Sequence, residues 1–96
     1  MANFIPGVPE NNNDAYAYQR LTVSGLIKTG QGLLGGFMVA SGTPTVTLYD
    51  NTSAAAPIIL NATVTVAGTR YPLPVVFNTG LYAVLSGTGD ITFYYL

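Results

Sequence analysis

From Leu21 onward the chain reads as short apolar stretches separated by turn residues. The clearest period of two lies in IILNATVTV (58–66). It sets Ile58, Leu60, Ala62, Val64 and Val66 against Ile59, Asn61, Thr63 and Thr65. Such alternation puts each set on one face of a strand. LTVSGLIK (21–28) alternates in the same way. TVTLYD (45–50) sets Val46 and Leu48 against Thr45, Thr47 and Tyr49. LLGGFMVA (33–40) is apolar at every position, which predicts a strand covered on both faces. LYAVLS (81–86) and ITFYYL (91–96) follow, with GTGD (87–90) expected as a hairpin loop between them. Pro57 argues against a helix through the preceding alanines.

YPLPVVF (71–77) carries Pro72 and Pro74 two residues apart. Amides two apart point to the same side of a strand, so both missing donors lie along one edge. This predicts an edge strand whose proline side discourages uncontrolled sheet addition. The pattern as a whole predicts an all-β fold: a small antiparallel β-sandwich or jelly-roll-like domain of about seven strands over residues 21–96. Its expected core includes Val46, Leu48, Leu60, Val64, Val75, Phe77, Leu81, Leu85, Ile91 and Phe93. The pattern leaves room for one short helix, near Asp14–Arg20.

Residues 1–20 differ from the rest. Pro6 and Pro9 favour extended backbone, and Asn11, Asn12, Asn13 and Asp14 favour turns. Phe4, Ile5, Val8, Tyr16 and Tyr18 are spaced along this stretch. An extended N-terminal arm with spaced apolar side chains reads as a tether whose side chains meet a partner; the bland alternative is a frayed terminus.

Composition narrows the chemistry. Of 96 residues, 49% are hydrophobic and only 7% charged, so disorder is not expected. The absence of cysteine and histidine removes disulfides, thiolate metal sites and the commonest general base. No catalytic residue, cofactor or metal site is expected. A net charge of −1 provides no basic field for nucleic acid. The charge-free runs between Lys28, Asp50, Arg70 and Asp90 are long enough to cross a membrane, but their glycines, prolines and alternating threonines are strand and turn residues. No membrane span is expected. Met1–Gly7 has neither the basic nor the apolar region of a secretory signal. So few charges also predict a surface that is covered in the working state, by further copies or by a partner.

Each local motif has a plainer explanation. Gly30–Gly35 matches G-x-G-x-x-G, but no helix can follow, so a glycine-rich turn with close backbone approach is expected instead of a nucleotide site. Asn51-Thr52-Ser53 and Asn61-Ala62-Thr63 match the glycosylation sequon and read as loop and strand residues. Asp50-Asn51 offers oxygen ligands for a cation, with too few carboxylates to hold one. The seven tyrosines suit a sugar platform or, more plainly, packing at a protein interface. Tyr94 and Tyr95 are adjacent and must point to opposite faces.

The segments TGQGLLGGFMV, LYDNTSAAAPIIL and AGTRYPLPVVFNTGLYAVLSGTGDITFYYL resemble small β-sandwich proteins of tailed bacteriophages, including capsid decoration (cement) proteins. The likeness rests on the Thr-Gly-x-Gly turn, Tyr49–Ser53, Leu73-Pro74 with Phe77, Gly80-Leu81 and the apolar last strand. It spans Lys28–Leu96 and leaves out the arm. It implies a structural virion protein on the outer capsid surface. Such a protein is commonly a homotrimer, binds the major capsid protein and clamps neighbouring capsomers without catalysis. The alternatives are a phage tail, neck or fibre subunit with the same sandwich, or a carbohydrate-binding module.

Overall fold

The computed structural model describes residues 16–96. It contains eight strands: β1 (Ala17–Leu21), β2 (Gly25–Thr29), β3 (Gly32–Gly42), β4 (Thr45–Tyr49), β5 (Ile58–Val64), β6 (Arg70–Phe77), β7 (Gly80–Ser86) and β8 (Gly89–Tyr95). They form two antiparallel four-stranded sheets, ordered β1-β8-β3-β6 and β2-β7-β4-β5. The pairings nest: β1 with β8, β2 with β7, β3 with β6, β4 with β5. The chain is thus one long hairpin with β4–β5 at its tip. It is rolled so that β8 also meets β3 and β7 also meets β4. This is the eight-stranded jelly roll, a form of β-sandwich.

Rolling explains where the expected elements shift. LTVSGLIK is two strands, because the chain changes sheets at Thr22–Ser24. The Ser24 hydroxyl accepts from the Leu85 amide at 2.8 Å and pins that crossing. GTGD likewise joins strands of different sheets and is not a hairpin loop. The arm boundary drawn at Leu21 falls inside β1, and the room left for a short helix over Asp14–Arg20 is taken at Ala17–Arg20 by a strand. Ala17–Leu21 pairs with Tyr95–Ile91, and Arg20 grips Asp90 through two hydrogen bonds of 2.7 and 2.8 Å.

The sheets bury Ile27, Leu34, Phe37, Val39, Val46, Leu48, Phe77, Leu81, Ala83, Ile91 and Phe93 between them. Phe37 lies against Tyr71 and Phe93, with ring centroids 5.1 and 5.4 Å apart. Leu60, Val75 and Leu85 pack at the margin as half-buried side chains. Val64 is the exception to the expected core, at 70% exposure. The cause is a pair of irregularities in β5. Asn61 and Ala62 together oppose Thr47, so the faces exchange beyond that point. The Asn61 side-chain oxygen accepts from the Ala62 amide at 2.9 Å, and the Thr63 hydroxyl donates to the Asn61 carbonyl at 2.7 Å. Leu60 therefore faces Leu48, Thr63 faces Val46, and Val64 turns outward beside Thr45. Thr65 follows Thr63 inward and is fully buried; its hydroxyl donates to the Pro44 carbonyl at 2.6 Å.

A bulge also resolves the doubly apolar strand. The register shifts between Leu34 and Gly36, so Leu34 and Phe37, three apart, both face the core. Met38 faces out and is 39% exposed. Gly36 has φ +145°, and a Cβ there would run into the Tyr71 carbonyl oxygen. Beside this shift runs β6, the proline strand, at the edge of its sheet as two missing donors require.

Candidate interaction surfaces

With the core occupied, the outward side chains are what remain for recognition. Across the first sheet, register aligns Tyr18, Tyr94, Gly36 and Pro72 in one row. The next row is Arg20, Thr92, Met38 and Arg70. Gly36 contributes no side chain, because a Cβ there would run into the β6 backbone at Tyr71 and Pro72. The Tyr16 ring reaches across to lie over Gly35, within 2.7 Å of where a Cβ would stand. The result is a groove of about 350 Å³ with a Gly35–Gly36 floor and walls from Tyr16, Tyr94, Pro72 and Arg70. Tyr94 lines it and Tyr95 packs against the core, the opposite orientations that adjacency demands.

Across the second sheet, register aligns Leu26, Tyr82, Tyr49 and Ile58. Beside them lie Thr47 with Val84, and then Val64, Thr45 and Ser86. None of these is charged. Leu26 and Ile58 are 42% and 52% exposed. No side-chain-free position interrupts these rows.

The charges lie elsewhere. Arg20 and Asp90 pair on the first sheet; the hydrogen bond from Arg20 chiefly holds the Asp90 carboxyl below its ordinary pKa, and the same bond raises that of Arg20. Lys28 donates to the Gln31 carbonyl at 2.6 Å. Asp50 closes the end of the sandwich. Its carboxylate accepts from the amides of Asn78 and Thr79 at 2.8–3.0 Å and of Gly80 at 3.4 Å. The Thr79 bond is the largest cause of a lowered Asp50 pKa, with partial burial opposing it. These contacts make Asp50 a fastening between the loops after β4 and β6. No group of three or more metal-ligating side chains occurs among the described residues.

Of the residues expected to meet a partner, Tyr16 and Tyr18 lie on the outer face of the first sheet, 46% and 71% exposed. Phe4, Ile5 and Val8 lie outside the described residues. Sequence reasoning missed Tyr49, Tyr82, Arg70 and Pro72 as surface neighbours. Their alternation placed them on a face, but only strand order shows which faces adjoin. No protein-family model matches the chain, and no characterised protein or solved structure matches it significantly.

Proposed function

We propose that the chain is a structural virion protein: a capsid decoration (cement) protein of a tailed bacteriophage that binds the major capsid protein as a homotrimer. The observation that carries this reading is the outer face of the second sheet, where the aligned rows of described residues are rich in tyrosine and aliphatic side chains and hold no charge. Interface centres are depleted of charge and enriched in tyrosine for a physical reason: there a charge loses water without gaining a partner. The jelly roll adds support by analogy, being a fold used by viral capsid domains as well as lectins. The resemblance of Lys28–Leu96 to phage sandwich proteins points the same way.

The work of a cement protein is contact area. Burying ~1,000 Å² of apolar surface contributes up to about 25 kcal/mol gross, before the costs of association. Three linked copies convert later contacts into intramolecular ones and multiply the effect. Copy number per virion tests the reading. Hundreds of copies are expected on a decorated shell; a handful would place the protein in a tail, neck or fibre instead.

A further inference from the structure

We propose that the groove on the first sheet is the seat of this chain's own Pro6–Glu10 segment. This inference does not rest on the virion reading. Pro6-Gly7-Val8-Pro9 has the spacing P-x-x-P. Such segments favour the polyproline II conformation and dock with little loss of entropy onto aromatic-lined grooves. The groove offers that lining: the Tyr16 and Tyr94 rings and Pro72 over a glycine floor.

Charge matches as well. Among the described residues Arg20 is paired with Asp90, and Lys28 donates to a carbonyl. Arg70 stands in the groove wall with no carboxylate partner among them. Of the four carboxylates in the sequence, Asp50 and Asp90 are engaged in the sandwich; Glu10 and Asp14 remain. Glu10 directly follows the P-x-x-P segment and carries the charge complementary to Arg70. The connection is suitable too. Tyr16 is itself a groove wall, and Asn11, Asn12, Asn13 and Asp14, which favour turns, separate it from Glu10. A short tether of this kind holds the segment at an effective concentration in the millimolar range.

Glu10 is the only glutamate in the chain, so a glutamate-specific protease reads the seat at one bond of the full-length protein. Cleavage after Glu10 is expected to be at least about tenfold slower than in a free peptide of residues 1–15, because cleavage samples only the unseated fraction. Three full-length variants are expected to remove that protection: Arg70→Gln, Tyr94→Ala and the pair Pro6→Ala with Pro9→Ala. The proline variants lie outside the sandwich strands, so they report even if a groove variant folds poorly. Protection should be unchanged on dilution. Cleavage as fast as in the free peptide would overturn the inference, as would protection indifferent to all three variants. Protection that falls on dilution would assign the seat to a neighbouring copy's segment and overturn the intramolecular one.

Discussion

The outer face of the first sheet has a hollow and charges; among the described residues, the rows aligned across the second are tyrosine, aliphatic and hydroxyl side chains. Both faces cover the same core, and both are built from alternating strands. They differ in the middle row: on the first sheet β3 and β6 approach closely at Gly36 and the Tyr16 ring lies over Gly35, whereas Tyr82 and Tyr49 stand side by side in the second. One face can enclose a narrow, partly charged segment. The other can meet a broad surface.

The largest way to break the comparison is to remove what both faces stand on. Phe77 is fully buried, with its ring under Gly32. Phe77→Ala should cost about 3–5 kcal/mol in chemical denaturation. Both faces should be lost in one transition, because one core serves both sheets. Two separated transitions would show that the sheets are independent.

A smaller cut should act on the first face alone. Gly36→Ala places a Cβ at φ +145°, against the Tyr71 carbonyl and 3.0 Å from Pro72 Cα. The expected cost is about 1–3 kcal/mol, with the amide resonances of β3 and β6 shifted and the second sheet's unmoved. A neutral substitution would mean that the bulge does not need glycine.

Asp50 sharpens the comparison at the end of the sandwich. Asp50→Ala leaves the amides of Asn78 and Thr79 without their acceptor and should cost about 1–2 kcal/mol at neutral pH. Acid should do part of the same work. Asp50 has a lowered pKa in the fold, so the unfolded chain binds more protons as the pH falls. Its stabilisation is fully present above the unfolded value of about 4 and is lost as pH falls through the folded-state value. Melting temperature should be flat from about pH 7 to pH 5 and decline below about pH 4, less steeply in Asp50→Ala. Smallest of all should be Arg20→Gln. Its ion pair with Asp90 is exposed, and melting temperature should not change measurably.

Much of this architecture was legible in the chain. Pro72 and Pro74 place an edge strand correctly because a missing amide is a local fact with one geometric consequence. Val46, Leu48, Phe77, Leu81, Ile91 and Phe93 read as core because their strands keep strict alternation where they sit. Val64 fails because a bulge at Asn61–Ala62 exchanges the faces. A bulge is one extra residue, and a period of two cannot reveal it. Leu34 and Phe37 were hidden in the same way at Gly35–Gly36. GTGD misled because a turn signal marks where a strand ends, not which sheet receives the next one. The groove was the least legible feature. Tyr18, Tyr94, Gly36 and Pro72 come from four separate strands, and only the rolled topology sets them in one row.

The central claim is that the uncharged outer face of the second sheet meets a capsid. Tyr82→Arg tests it most directly. The residue faces outward, so the variant should fold with an unchanged circular dichroism spectrum. It should also place a charge in the middle of the platform. Full-length protein and the variant would each be mixed with undecorated phage capsids, and bound copies counted after sedimentation. The account predicts saturable binding of hundreds of copies per capsid, with added heat resistance, and a loss of at least about tenfold in affinity for Tyr82→Arg. Failure of the natural chain to bind capsids would contradict the account, as would equal occupancy by the arginine variant.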